Sequence, residues 1–258
     1  MAGPRVALFV TCLVDLIRPG VGFAAVRLLE EAGCSVEVPA TQTCCGQPGW
    51  NAGNRDAARR LARHMIRTFE RHDHIVIPSG SCAATIVKDY ERMFDDGDPW
   101  RERARLMAAK THEIVTFLTE VLGLDRVPAA PGHRRADGLS VTCHDSCSGL
   151  RSLGIREQPR RLLASIPGLD LREMAESDTC CGFGGTFCVK YPEVSSAMVA
   201  DKTRNIDATG ADLVVAGDLG CLMNIAGRAR REGRPFRARH IVEVLAGDLD
   251  TPPIGEGR

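Results

Sequence analysis

The sequence has no excess of charge and no long apolar run. Lysine and arginine together number 33, and aspartate and glutamate also number 33, in 258 residues. This balance predicts no basic surface for nucleic acid and no electrostatic attraction to an anionic membrane. No segment approaches the ~20 consecutive apolar residues of a membrane-spanning helix. With 44% hydrophobic and 26% charged residues, the composition is that of a soluble globular protein.

Several short motifs are also missing. There is no Cys-x-x-Cys pair, the usual mark of a zinc ribbon or a thioredoxin-like site. The glycine-rich segment 182–185 lacks the Gly-Lys-Ser/Thr ending of a phosphate-binding loop. No Gly-x-Gly-x-x-Gly motif follows the first predicted strand. These absences disfavour the common zinc, dithiol and nucleotide sites.

Cysteine, by contrast, is abundant. The chain has 11 cysteines, an odd number that includes two adjacent pairs. It is too long for a small secreted scaffold held together by disulfides. We therefore expect a reducing cytoplasm, in which the thiols serve metal or redox chemistry.

The cysteines reveal an internal duplication. The tripeptide Cys-Cys-Gly occurs twice, at 44–46 and 180–182, and a single cysteine precedes and follows each copy. The gap before the tripeptide is 31 or 32 residues, and the gap after it is 35 or 38. The eight repeated cysteines are Cys12, Cys44, Cys45 and Cys82 in the first half and Cys147, Cys180, Cys181 and Cys221 in the second. Two copies with such similar gaps indicate a repeated domain.

Three cysteines fall outside the repeat. Cys34, Cys143 and Cys188 each have a non-cysteine residue at the matching position of the other half. Free cysteine often behaves as a small buried hydrophobe. We expect structural roles for these three, with a supporting role near the motifs left open for Cys143 and Cys188.

Strand and helix signals alternate in both halves, which predicts the α/β class with a Rossmann-like parallel sheet and helices on both faces of each half. Three strands are predicted per half: 5–10, 36–38 and 75–77, then 139–142, 169–172 and 213–216. A helix is also predicted near the end of each half, at 111–122 and at 240–246. The predicted domains are 1–124 and 139–250, with a linker at 125–138 and a tail at 251–258, and we expect the halves to pack as a pseudo-dimer.

The repeated cysteines follow predicted strands directly. The carboxyl ends of parallel strands form the edge at which α/β sheets bind ligands, so each half should gather four thiols there. Thiolates favour iron–sulfur clusters, zinc or copper(I), and a cluster suits four thiols gathered by a rigid sheet. A zinc site, a dithiol redox centre and simple buried thiols are the alternatives.

The motifs resemble the cysteine-rich CCG domain shared by the heterodisulfide reductase B subunit, the glycolate oxidase iron–sulfur subunit and lactate utilisation protein A. The strongest resemblance is to the lactate utilisation protein A family. The blocks that carry it are 43–48 (TCCGQP), 78–82 (PSGSC), 144–147 (HDSC), 180–187 (CCGFGGTF) and 218–223 (DLGCLM). The resemblance covers nearly the whole chain.

The resemblance implies an iron–sulfur electron-transfer subunit of a cytoplasmic complex that oxidises L-lactate to pyruvate. It implies one [4Fe-4S] cluster per half, held by the eight repeated cysteines, with zinc in one half as the alternative. The implied partners are an iron–sulfur B-like subunit and a C-like subunit, with lactate reached through the complex. The heterodisulfide reductase relatives end each motif in Cys-x-x-Cys, whereas Thr85 and Asn224 stand at those positions here. This departure disfavours the noncubane clusters of those relatives.

Two polar residues mark the second half alone. His144 and Asp145 precede Cys147, whereas Phe9 and Val10 precede Cys12 at the matching positions. They are weak candidates for accepting a substrate proton or tuning a cluster by hydrogen bonding. Alternatively, they form a local turn.

Two further functions stay open at this point. One is a zinc-stabilised, non-catalytic scaffold subunit of the same complex. The other is a disulfide reductase similar to the heterodisulfide reductases, which the missing fifth cysteines disfavour. Whether this chain is itself an enzyme or only a subunit of an oxidoreductase stays open with them.

Overall fold

The computed structural model describes residues 3–128 and 136–256. It consists of two compact units, Met1–Leu122 and Gly123–Arg258. Residues 129–135 of the predicted linker and 257–258 of the predicted tail lie outside the described residues. The described flanks of that linker pack on the second unit, because Val127 N donates to Ser165 Oγ and Ala136 N donates to the Pro167 carbonyl.

Each unit contains a four-stranded, fully parallel sheet. The strand order is β2-β1-β3-β4 in the first unit and β6-β5-β7-β8 in the second. The strands are β1 (Arg5–Leu8), β2 (Ser35–Glu37), β3 (His74–Ile77), β4 (Thr111–Glu113), β5 (Ser140–Cys143), β6 (Asp170–Leu171), β7 (Leu213–Ala216) and β8 (Arg237–His240). The predicted α/β class and its duplication are confirmed.

Helices surround each sheet. Those of the first unit are α1 (Cys12–Ile17), α2 (Pro19–Glu31), α3 (Gln47–Asn51), α4 (Arg55–Phe69), α5 (Gly80–Ala84), α6 (Pro99–Ala109) and α7 (Ile114–Thr116). Those of the second are α8 (Cys147–Leu153), α9 (Glu157–Ala164), α10 (Phe187–Lys190), α11 (Pro192–Asp207), α12 (Leu219–Glu232) and α13 (Ile241–Leu245). In the described part of the chain, every helix is too short or too polar to span a bilayer.

The central strands and the helices against them form the cores. Strand β7 is buried along its whole length, as is β1 after Arg5. Helix α4 begins where Asn54 Oδ1 accepts a hydrogen bond from Ala57 N. Its apolar stripe, which includes Met65, Ile66 and Phe69, is buried. Burial of each such side chain contributes roughly 1.5–3 kcal/mol.

Two predicted helices begin instead with a strand. The prediction of a helix at 111–122 is wrong at its start, where β4 pairs with β3. The same correction applies to the predicted helix 240–246, because β8 runs to His240 and pairs with β7. Glu113 and His240 end these strands and cap the helices that follow. Each sheet therefore has four strands, not the three predicted.

Candidate metal centres

The four repeated cysteines of the first unit meet at the carboxyl edge of its sheet. Cys12 opens α1 after β1, Cys44 and Cys45 lie in the loop after β2, and Cys82 lies in α5 after β3. The thiols of Cys12 and Cys44, and of Cys44 and Cys45, lie near enough to perturb one another's pKa. The Sγ atoms of Cys45 and Cys82 are 3.4 Å apart. The structure thus brings together all four candidate ligands of this half.

The second unit repeats this arrangement. Cys147 opens α8 after β5, Cys180 and Cys181 lie in the loop after β6, and Cys221 lies in α12 after β7. The thiols of Cys147 and Cys180, of Cys180 and Cys181, and of Cys181 and Cys221 lie near enough to perturb one another's pKa. The order of neighbouring thiols along the chain is therefore the same in both halves.

Close packing of the thiols perturbs their ionisation. In the first unit, hydrogen bonds with Cys12 and then Cys45 lower the pKa of Cys44. A hydrogen bond with Cys44, together with burial, raises the pKa of Cys12. Hydrogen bonds with Cys44 and Cys82, together with burial, raise the pKa of Cys45. One thiolate is thus stabilised by protonated neighbours, and a bound cation is needed before all four sulfurs can be thiolates.

In the second unit, a hydrogen bond with Cys180 and burial raise the pKa of Cys147. For Cys181, the hydrogen bond with Cys180 lowers the pKa, but the hydrogen bond with Cys221 and burial outweigh it and raise the pKa overall. This group of thiols also keeps protons that a cation would displace.

A glycine follows each cysteine pair in a left-handed conformation. The φ angle is 88° at Gly46 and 78° at Gly182. The amide of Gly46 donates to Cys44 Sγ and that of Gly182 to Cys180 Sγ, both at 3.4 Å. Glycine adopts this conformation without the steric cost of a Cβ atom, so the loop can turn back onto its own sulfur.

His144 lies at the second site. Its side chain is 2% exposed, and neither ring nitrogen has a hydrogen-bond partner among the described residues. A ring nitrogen and the Sγ atoms of Cys181 and Cys221 lie within 4.8 Å of one another. Burial and then the Lys202 ammonium lower the pKa of His144 to about 3, although the Asp145 carboxylate and then the Ser177 carbonyl oppose that effect. The imidazole is therefore neutral, as a metal ligand requires.

Asp145, the other polar candidate, forms a buried ion pair. Its carboxylate accepts two hydrogen bonds from the Arg160 guanidinium, at 2.8 and 3.0 Å. The Asp145 side chain is 1% exposed, and Arg160 also binds the more exposed Glu173. A bidentate pair of this kind fixes both side chains, so Asp145 anchors α9 beside the thiols. The sequence alone indicated no partner for it.

Lys202 is a second buried charge that the sequence did not reveal. It lies on α11, fully buried, and Nζ donates to the carbonyls of Glu176 (2.6 Å) and Ser177 (3.3 Å). These carbonyls belong to the loop that leads to Cys180. Burial lowers the pKa of Lys202, while Cys181 and nearby carboxylates oppose that effect. Only its neighbours in the fold distinguish Lys202 from a solvated helix lysine.

Comparison with known proteins agrees with this duplicated arrangement. A family model described as a cysteine-rich domain, CCG, matches residues 6–87 and 141–226. Lactate utilization protein A of Halalkalibacterium halodurans is 45% identical over 93% of this chain and 96% of its own length. The chain belongs to the lactate utilization protein A family. Lactate utilization protein A 2 of Bacillus mycoides is 46% identical over 93% of this chain and 98% of its own.

A solved structure shares the fold. A hypothetical protein from Helicobacter pylori superposes with a TM-score of 0.65 at 11% identity, covering all of this chain and 55% of that one. At this identity, the likeness concerns the fold alone.

Thr85 and Asn224 stand where the heterodisulfide reductase relatives have a fifth cysteine. In this chain their side chains form hydrogen bonds. Asn224 Nδ2 donates to the Cys181 carbonyl at 2.8 Å. In the first unit, Tyr90 performs the same task, because its hydroxyl donates to the Cys45 carbonyl at 2.8 Å. Thr85, the residue that follows α5, donates through Oγ1 to the Ser81 carbonyl of that helix. These side chains support the loops of the cysteine pairs and bring no further sulfur to the sites.

The three cysteines outside the repeat have separate surroundings. Cys34 is buried just before β2, at the amino end of that strand and away from the thiol edge. Cys143 ends β5, and burial raises its pKa to about 12. Cys188 Sγ donates to the Gly185 carbonyl at 3.3 Å. Their predicted structural roles stay predictions.

The residues present fit a metal group. Each half offers four cysteines at one sheet edge, with Cys45 and Cys82 in contact in the first half, and the second half also offers a buried imidazole without a hydrogen-bond partner among the described residues. This donor set is typical of iron–sulfur clusters and of zinc. The geometry supports metal binding in both halves.

The two glycines should respond differently to substitution by alanine. A Cβ atom on Gly182 would lie 2.6 Å from the Ser195 carbonyl, whereas one on Gly46 would meet nothing closer than 3.4 Å. The left-handed φ alone costs roughly 1–2 kcal/mol, and overpacking adds about 1–3 kcal/mol. Gly182→Ala should therefore lower the thermal midpoint of the metal-free chain clearly more than the matched control Gly46→Ala. Equal decreases of the thermal midpoint in the two variants, measured by calorimetry, would contradict the predicted steric contact at Gly182.

Proposed function

We propose that this chain is the iron–sulfur electron-transfer subunit of a complex that oxidises L-lactate to pyruvate. The observation that carries the proposal is the pair of four-thiol groups, each assembled at the carboxyl edge of its own parallel sheet. Membership of the lactate utilization protein A family supplies the substrate. Oxidation of lactate to pyruvate releases two electrons and two protons, which the complex must pass on.

The eight repeated cysteines would hold one cluster in each half. Cys12, Cys44, Cys45 and Cys82 serve the first, and Cys147, Cys180, Cys181 and Cys221 serve the second. An iron–sulfur cluster, when bound, supplies one-electron transfer. The protein fixes the sulfurs by strand ends and helix starts, and it directs the Gly46 and Gly182 amides at the sulfurs of Cys44 and Cys180. Such hydrogen bonds to sulfur tune cluster potentials.

The second half holds its sulfurs in a more polar environment. Lys202 places a buried cation near Cys181, and the Asp145–Arg160 pair lies beside the same loop. A buried positive charge favours the anionic form of a site that gains an electron. This difference supports unequal potentials in the two halves.

Disulfide reduction is less well supported. Asn224 and Thr85 occupy the positions of the fifth cysteines and are engaged in hydrogen bonds within the fold. All eleven cysteines are free thiols, which supports a reducing cytoplasm as the place of work. We assign lactate binding to the complex, in which an iron–sulfur B-like subunit and a C-like subunit are the expected partners.

Growth of the source organism on L-lactate tests the assignment. Deletion of the gene should abolish growth on L-lactate as sole carbon source while leaving growth on pyruvate intact. A plasmid carrying the natural gene should restore growth, and one carrying Cys45→Ser with Cys82→Ser should not.

Cys34→Ala is the matched control, because Cys34 is buried at the opposite edge of the same sheet. It should restore growth. Full growth of the deletion strain, in an organism without a duplicate gene, would contradict the lactate assignment. Full growth with the double serine variant would contradict the role of the thiols.

A further inference from the structure

The second site contains a ligand type that the first lacks. His144 and Phe9 occupy equivalent backbone positions, because His144 N donates to the Val215 carbonyl of β7 and Phe9 N donates to the Val76 carbonyl of β3. The Phe9 side chain is fully buried, and its ring centroid lies 5.7 Å from that of Phe69. The second unit thus places an imidazole where the first places a hydrocarbon ring.

The surroundings of His144 make a purely structural role costly. A buried imidazole in a satisfied core forms hydrogen bonds, since burying a polar group without a partner is destabilising. Neither ring nitrogen of His144 has such a partner among the described residues. A ring nitrogen lies within 4.8 Å of the sulfurs of Cys181 and Cys221. A metal shared with these sulfurs would satisfy the nitrogen.

The two halves also differ in a residue of the helix that packs against each cysteine-pair loop. A Cβ atom on Gly46 would approach the backbone of Ala58 in α4, and one on Gly182 would approach the backbone of Ser195 in α11. The helices α4 and α11 therefore occupy matching places in the two halves. Seven residues further along, Met65 in α4 corresponds to Lys202 in α11. Met65 Sδ accepts a hydrogen bond from Thr43 N, whereas Lys202 donates to loop carbonyls. Both differences make the second site more polar than the first, and Lys202 also makes it more positive.

We propose that His144 is a direct ligand of iron in the second half, together with Cys181 and Cys221. The inference rests on the iron–sulfur assignment above and deepens it. The first site then has thiolate ligands only, and the second has a mixed imidazole–thiolate set. His144 joins the four cysteines of this half as a further donor that brings no negative charge, and histidine ligation raises the potential of iron–sulfur centres. The second site is therefore the more readily reduced of the two.

Pulsed EPR on the full chain tests this ligand directly. Cys45→Ser with Cys82→Ser removes the first cluster, so that the signal of the reduced protein comes from the second half. On protein labelled with ¹⁵N-histidine, a strong coupling between the electron spin and a histidine nitrogen is expected. His144→Cys should abolish that coupling, keep the iron and sulfide content, and shift the midpoint potential to a more negative value. His112→Phe, a change of a half-buried histidine of the first unit away from the thiols, should leave all three readings unchanged.

The outcomes separate this inference from the proposed function. Iron and sulfide with a reducible signal but no histidine coupling would overturn the ligand role and leave the iron–sulfur assignment standing. A coupling that survives in both His144→Cys and His144→Phe would also overturn it. Absence of iron and sulfide from the unaltered chain would overturn the iron–sulfur assignment itself, and the ligand role with it.

Discussion

Replacing Cys45 and Cys82 by serine should remove about half of the metal that the chain binds. All four sulfurs of each group belong to one compact unit. Metal binding at one site should therefore not depend on the other site. A serine hydroxyl is a poor substitute for thiolate toward soft metal ions. The expected result is roughly half of the iron and acid-labile sulfide of the unaltered protein, measured after anaerobic purification.

The mirror variant, Cys181→Ser with Cys221→Ser, should empty the second site and leave the first filled. Cys34→Ala is the control and should keep the full content, because Cys34 is buried away from the thiol edge. Full loss of metal in either double variant would show that the two sites depend on each other. Full retention would show that these cysteines are not ligands.

Replacing Arg160 by leucine should strongly destabilise the second unit. The change leaves the Asp145 carboxylate, 1% exposed, without its guanidinium partner. Removing one member of a buried ion pair typically costs 3–5 kcal/mol, because the remaining charge is buried without compensation. We expect a loss of about 3–5 kcal/mol in the free energy of unfolding of this unit, followed by urea denaturation of the metal-free chain.

Two further variants locate the cause of that loss. Glu173→Gln removes the other carboxylate that binds Arg160, which is 58% exposed, and should cost about 1 kcal/mol or less. Combining Arg160→Leu with Asp145→Leu should recover much of the loss, since a hydrophobic pair can replace a buried ion pair. A single Arg160→Leu change that costs no more than Glu173→Gln would contradict the buried pair.

The repeated cysteines were enough to predict the class of the fold and the existence of two sites. Equal spacing of the cysteines in the two halves indicated a duplication, and the position of each cysteine after a predicted strand indicated the carboxyl edge of a sheet. The structure brings together the four thiols of each half. This part was predictable because it depends on local pattern and on the geometry shared by all parallel sheets.

The fourth strand of each sheet was missed because its sequence is polar. Strand β8 reads Arg-Ala-Arg-His, with no apolar run, yet its last three residues are buried. Arg239 donates to the carbonyls of Asp248 and Leu249 beyond α13, which satisfies its buried charge. In β4, Glu113 is buried because its carboxylate caps α7. Hydrophobic pattern does not detect strands whose polar side chains find partners distant in sequence.

The polar surroundings of the second site were missed for a similar reason. Arg160 and Lys202 lie in the helices α9 and α11, and a charged residue in a helix is usually solvated. Their partners, Asp145 and the carbonyls of Glu176 and Ser177, lie 15 to 26 residues away along the chain. Only the folded arrangement brings these charges to the thiols. His144 was visible from the sequence as a departure from Phe9, but its contact with two sulfurs was not.

The central claim is that each half holds an iron–sulfur cluster on its own four cysteines. The most direct test measures iron, acid-labile sulfide and zinc per chain on protein purified without oxygen, with EPR spectra before and after dithionite. Two four-iron clusters correspond to about eight irons with matching sulfide per chain, and reduction should produce EPR signals from both sites. Zinc without sulfide, even after reconstitution with iron and sulfide, would contradict the claim and favour a zinc-stabilised scaffold.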